Sequence, residues 1–162
     1  MADYSGRTVL VTGGTKGIGA GIAAAFRAAG ADVAVCARKD PGGLPGFVAA
    51  DVRDPGQVAA LVETVVDRHG RLDVVVNNAG GGPYAPAADA SPRLHQRVVE
   101  LNLLAPLHVS QAANAVMQTA GAGSIIMISS VSGTRRDARV RTESGRVYIA
   151  PNLRRSRVCH PV

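Results

Sequence analysis

Hydrophobic positions along this chain follow two rhythms. Short, nearly unbroken apolar runs occupy residues 7–12 (RTVLVT), 32–37 (DVAVCA), 46–50 (GFVAA), 72–77 (LDVVVN) and 124–129 (SIIMIS). Such runs, rich in β-branched residues and bounded by turn formers, predict strands covered on both faces. Between them the apolar residues step by three and four. Ile18, Ile22 and Phe26 predict a helix whose end is marked by Gly30. Val58, Leu61, Val62 and Val65 predict a second, with Asp54 as its cap, Pro55 in its first turn and Gly70 at its end. Leu94, Val98, Leu101, Ala105, Val109, Ala112 and Val116 predict one long helix opening at Ser91-Pro92. Strands alternating with helices imply parallel pairing through right-handed crossovers, so the expected fold is an α/β, doubly wound parallel sheet.

The 162 residues, 46% of them hydrophobic, are enough for one domain with its own core. The formal charge of +6 changes how the chain divides. Residues 1–134 balance their charges, ten basic against ten acidic, whereas residues 135–162 carry eight arginines against Asp137 and Glu143. The basic excess therefore belongs to an Arg-rich tail of no recognisable fold. Nucleic acid is not the expected partner, because a nucleic-acid-binding fold stripes its charge over structured faces and the five aromatic residues give little to stack bases on. No apolar run has the roughly 20 residues of a membrane span. Cys36 and Cys159 make no disulfide framework, and no export signal is visible at the start. The expected setting is cytoplasmic.

Candidate chemistry begins at Thr12-Gly13-Gly14-Thr15-Lys16-Gly17-Ile18-Gly19, between the first strand and the first helix. A tight glycine turn alone could account for such a cluster. Its position favours a phosphate site, since glycines let the backbone approach an anion and free amides at a helix start attract it.

The spacing Gly-x-x-x-Gly-x-Gly resembles that of the short-chain dehydrogenase/reductase family, and four further signatures follow in the family's order. Asn77-Asn78-Ala79-Gly80 matches its NNAG motif, Asp51-Val52 its adenine-contacting pair, and Asn102 and Ser130 two of its four catalytic positions. The resemblance implies a Rossmann-like sheet, truncated here after the fifth strand, as domain 1–134. It implies dinucleotide contacts from Gly13, Thr15, Lys16, Gly17, Ile18, Gly19, Asp51, Val52, Asn78, Ala79 and Gly80. Ser130 would hold the oxygen of a small-molecule alcohol or carbonyl substrate, and Asn102 would position a water in a proton relay. Assembly into homo-oligomers through the long helix is implied weakly.

Charge argues for one coenzyme over the other. A ribose 2′-hydroxyl is normally held by an acid near the end of the second strand, but that stretch reads Cys36-Ala37-Arg38-Lys39. Arg38 offers a planar fork of donors to a 2′-phosphate, and Lys16 can reach the same anion. NADP(H) is expected; Asp40 just beyond keeps NAD as the alternative. Around Asn102 the backbone carries its own signal: Pro106 has no N–H to give the Asn102 carbonyl, so a kink is expected there. His69, His95, His108 and His160 have no metal-ligand spacing.

The resemblance stops at the acid/base. A Tyr-x-x-x-Lys motif should follow the serine, but the first tyrosine after Ser130 is Tyr148, 18 positions on, with Asn152 in the lysine place. The sole lysines are Lys16 and Lys39. A tyrosine without a neighbouring cation keeps a pKa near 10, and losing a positioned acid or base costs about 10²–10⁴ in rate. The family's later strands have no room here, so the fifth strand is expected to keep an open edge; Gly145–Leu153 loosely echoes the family's sixth strand and its Pro-Gly turn, which would mean that the catalytic helix is deleted. Sixteen arginines against two lysines fit GC-rich coding DNA, and the switch at Arg135 fits a frameshifted reading of it. Two functions stand, an NADP-dependent oxidoreductase or a dinucleotide-binding module without turnover; a third, phosphate-backbone binding by the Arg-rich tail, is set against the plainer reading of a solvated basic tail.

Overall fold

The computed structural model describes residues 3–82, 90–129 and 156–157. Five parallel strands, β1 (Thr8–Thr12), β2 (Asp32–Ala37), β3 (Phe47–Ala49), β4 (Val74–Asn77) and β5 (Ser124–Met127), alternate with helices α1 (Gly17–Ala28), α2 (Pro55–His69), α3 (Pro92–Val99) and α4 (Ala105–Thr119). The strand order is β3-β2-β1-β4-β5, with a two-residue β6 (Ser156–Arg157) antiparallel to β5. The expected doubly wound sheet is therefore present, and its parallel part stops at the fifth strand. The edge of β5 expected to stay open is covered at Ser124 and Ile125, which pair with Arg157 and Ser156. Gly145–Leu153 and the rest of the tail's sequence signals lie outside the described residues.

Period-two alternation divides the core. In the three central strands Leu10, Ala34, Cys36 and Val75 point to one face and pack with α2 and α4 through Leu61, Val65, Val109 and Met117. Val9, Val11, Val33, Val35, Val74 and Val76 point to the other, against Ala23, Ile22 and Phe26 of α1. This explains why the strands read as continuous apolar runs: neither face is left to water. Each such buried Val or Leu stabilises the fold by about 1.5–3 kcal/mol. Parallel register places Val9 beside both Val33 and Val74, and Val11 beside Val35 and Val76. β5 is only half-buried along its length.

The helix boundaries follow their caps. The Asp54 carboxylate accepts from the amides of Gly56 and Gln57, and Gly70 closes α2 in a left-handed conformation with φ +73°. Ser91 caps α3 by accepting from the Leu94 amide. Two expectations need correction. Ile18 does not share the partly buried stripe of Ile22 and Phe26; it is 71% exposed and lines the cavity at the start of α1. The helix predicted over Leu94 to Val116 is not uniformly α: Glu100–Leu104 forms a π-helical turn between α3 and α4, where the Ala105 amide reaches back to the Glu100 carbonyl. Pro106, which can donate nothing to Asn102, lies two residues past the end of that turn, and the lost bond is absorbed by widening the helix.

Candidate functional site

The strand order reverses between β1 and β4: β1 leads out to β2 and β3 on one side, and β4 leads to β5 on the other. Such a switch point opens a crevice at the carboxyl ends of the strands. A cavity of about 500 Å³ lies there. One wall is the turn after β1, with Gly13, Thr15, Lys16, Gly17, Ile18 and Gly19. The end of β2 adds Arg38, the loop after β3 adds Asp51 and Val52, and the loop after β4 adds Asn78, Ala79 and Gly80. All of the dinucleotide contacts expected from sequence are thus brought to one cavity.

The turn after β1 is built for close backbone approach. Gly17 has φ +55° and lines the cavity, and a Cβ on it would meet no protein atom within 4 Å, so the space beside it is open. Gly13, at φ +64°, packs against the loop after β4: a Cβ there would lie 3.0 Å from the Ala79 Cα. Gly19 sits tighter still, where a Cβ would collide with the Gly13 carbonyl and the Asn78 side-chain amide. α1 has no side-chain cap at Lys16 and no acid in its first turn, in contrast to the Asp54 and Ser91 caps of α2 and α3. Its first amides and the positive end of its dipole face the cavity. A diphosphate fits this arrangement, because the helix start supplies donors and positive potential with no acid in its own first turn.

Thr12 ties the two loops together. Its hydroxyl accepts from the amides of Asn78 and Ala79, each at 3.0 Å, and donates to the Val76 carbonyl at 3.3 Å. The Asn78 side-chain amide returns to the carbonyls of Thr12 at 3.0 Å and Gly13 at 3.2 Å. Buried Asn77 donates to the Ser110 hydroxyl at 3.1 Å, fixing α4 to the end of β4. Neither the Thr12 hydroxyl nor Ser110 could be singled out from sequence, where a threonine at a strand end and a serine in a helix are commonplace.

Charge is distributed unevenly around the cavity. Arg38 and Lys16 are exposed and form no salt bridge among the described residues. Asp40 does not line the cavity; it accepts from the amides of Gly42 at 2.9 Å and Gly43 at 3.0 Å, and the Gly42 bond leads in holding its carboxyl below the ordinary range. Asp51 is gripped by Arg53, whose Nε lies 2.9 Å from Oδ1. That hydrogen bond is the largest influence keeping the Asp51 carboxyl ionised. Arg53, Leu101, Ala50, Ala37 and Cys36 also line the cavity and were not among the expected contacts. Cys36 is fully buried, and desolvation pushes its thiol up to about 11.

Asn102 lies in the π-helical turn and does not line the cavity. Its side-chain amide donates to the Gly81 carbonyl and the Val98 carbonyl, both at 2.9 Å, and its oxygen accepts from the Gly81 amide at 2.8 Å. This two-way clasp holds the loop after β4 to the helix. Ser130 and Tyr148 lie outside the described residues. No described helix is long and apolar enough to cross a membrane.

Comparison with known proteins agrees with this geometry. The family model described as short chain dehydrogenase matches residues 7–142. L-fucose dehydrogenase of Oryctolagus cuniculus is 40% identical over 141 residues, covering 82% of this chain and 49% of that protein. Oxidoreductase UcpA of Escherichia coli K12 is 35% identical over 147 residues, covering 82% of this chain and 55% of its own. A crystal structure from Sinorhizobium meliloti 1021, of a protein provisionally named a short-chain alcohol dehydrogenase, shares the fold with a TM-score of 0.76 and 36% identity. It is matched over 80% of this chain and 56% of that one. The chain spans about half the length of the curated relatives it matches. With the family model matching residues 7–142 and relatives up to 40% identical among those compared, the chain belongs to the short-chain dehydrogenase family.

Proposed function

We propose that this chain binds NADP(H) for an oxidoreductase that interconverts alcohol and carbonyl groups of small molecules. The observation that carries the reading is the single cavity in which an uncapped helix start, a glycine turn and Arg38 converge. The first amides of α1 hold the diphosphate, while Asp51 and Val52 meet the adenine. Arg38, with Lys16 beside it, meets the ribose phosphate, and Asp40, spent on its own turn, is withdrawn from the ribose. When bound, the nicotinamide supplies the hydride donor or acceptor. Ser130 holds the substrate oxygen, and Asn102 keeps the loop after β4 in place under the nicotinamide end. The protein works in the reducing cytoplasm, as a monomer or through self-association of its long helix, and residues 135–162 are an appended Arg-rich tail.

A second reading is favoured by one observation: the 162 residues hold no Tyr-x-x-x-Lys. The chain is then a dinucleotide-binding module without turnover. Coenzyme binding measured alongside turnover of small alcohols and ketones, followed by reduced-nicotinamide absorbance, separates the two. Binding with turnover supports the oxidoreductase, and binding without it supports the module. Failure to bind either coenzyme rejects both.

A further inference from the structure

Arg53 lines the same cavity as Arg38 and Lys16, four residues beyond the end of β3. Its guanidinium is committed to Asp51. Nε donates to Oδ1 at 2.9 Å and to Oδ2 at 3.2 Å, Nη2 donates to Oδ2, and the Arg53 amide adds a bond to Oδ1 at 3.1 Å. The Asp51 backbone is fixed as well, its amide donating to the Gln57 side chain at 2.9 Å. The two side chains are 30% and 24% exposed, so the pair is shielded from solvent on most sides.

The consequence is one of charge. A carboxylate in this wall would put a negative charge into the same cavity that Arg38 lines. An uncompensated Asp51 would repel a second phosphate on the ribose and draw Arg38 toward itself. Forked onto Arg53, Asp51 contributes almost no net charge. Arg38 and Lys16 are then left to face an anion.

We infer that Arg53 is a specificity-determining residue: by neutralising Asp51 it lets the cavity take a ribose 2′-phosphate in preference to a ribose 2′-hydroxyl. This rests on the NADP(H) reading above and deepens it. Arg53 acts through Asp51, and that separates it from a residue touching the phosphate directly.

The test compares the affinities of 2′,5′-ADP and 5′-AMP for the full chain by calorimetry; contacts to the adenine and the shared phosphate cancel in the ratio. The wild type is expected to favour 2′,5′-ADP. Arg53→Gln lowers that preference by about tenfold, the scale of one unit charge roughly 10–12 Å away at an effective dielectric of about 20. Adding Asp51→Asn to Arg53→Gln restores it, and Asp51→Asn alone leaves it equal or greater. An Arg53→Gln ratio equal to wild type overturns the inference while the NADP(H) reading stands. So does a double variant as low as Arg53→Gln, which means direct contact with the phosphate. A wild type indifferent to the 2′-phosphate overturns both. Should Arg53→Gln fail to fold, Asp51→Asn alone decides: a lowered preference overturns the inference, and an equal or raised one supports it.

Discussion

Thr12 and Asn78 are joined twice across the boundary between β1 and β4: the Asn78 amide donates to the Thr12 hydroxyl, and the Asn78 side chain donates to the Thr12 carbonyl, both at 3.0 Å. Because the two residues head the two loops that wall the cavity, this latch sets the spacing of the walls. Thr12→Val keeps shape and burial but leaves the Asn78 and Ala79 amides without their acceptor. It is expected to cost about 1–3 kcal/mol in urea unfolding and to weaken coenzyme binding. Thr12→Ser, which keeps the hydroxyl, is expected to change both much less. Equal stability of Thr12→Val and wild type would mean the latch stabilises nothing.

Gly19 and Gly21 provide a matched pair in one helix. A Cβ at Gly19 collides with the Gly13 carbonyl and the Asn78 side chain, whereas a Cβ at Gly21 meets nothing within 4 Å. Gly19→Ala is therefore expected to push the turn after β1 out of place and cut NADPH affinity at least tenfold. Gly21→Ala should bind as wild type and gain about 0.5–1 kcal/mol from helix propensity. Similar affinities for the two variants would show that the close packing of the turn does not matter for binding.

At the opposite end of the sheet Asp73 sits between Arg7 and Arg71 and also accepts from the Thr8 amide at 2.9 Å. Burial works to raise its pKa, but the bonds from Arg71, Thr8 and Arg7 outweigh that and hold it at about 2, below the ordinary 3.8. A carboxyl depressed in the folded state adds stability that is fully present above its unfolded pKa and lost as pH falls through the folded one. The loss should fall between about pH 4 and pH 2 and amount to at most about 2 kcal/mol. Asp73→Asn should be less stable at neutral pH and should lack that part of the acid transition. An unchanged acid limb in the variant would remove Asp73 from the account.

Cys36 lines the cavity, yet its thiol is buried and pushed up to about 11 by desolvation. Alkylation followed at the Cys36 peptide by mass spectrometry is expected to be far slower at pH 8 than for an exposed thiol, whose pKa is near 8.5. NADPH should slow it further by closing the cavity. Rapid labelling unaffected by coenzyme would contradict this placement.

The fold was legible because its strands are buried on both faces: runs such as Val9-Leu10-Val11 and Val74-Val75-Val76 have no polar side to obscure them. The cavity was legible because glycines at fixed spacing have few other uses between a strand and a helix. Less could be seen where geometry depends on partners distant in sequence. The clasp between Asn102 and Gly81 depends on how the loop after β4 meets the helix. The π-helical turn before Pro106 could be expected only as a kink, since proline removes a bond without dictating how the helix adjusts. Ile18 fits a helical stripe on paper and is exposed in fact, because periodicity does not say that the first turn of the helix borders a cavity. Arg53 reads as one more arginine until its fork onto Asp51 is seen.

The central claim is that the turn after β1 and the start of α1 hold the diphosphate of a dinucleotide, with Arg38 favouring the 2′-phosphorylated form. The most direct test is a fluorescence titration of the folded chain with NADPH and NADH in parallel. The account predicts saturable binding of both, with NADPH the tighter. Absence of binding to either at millimolar coenzyme, in protein shown to be folded by circular dichroism, would contradict it.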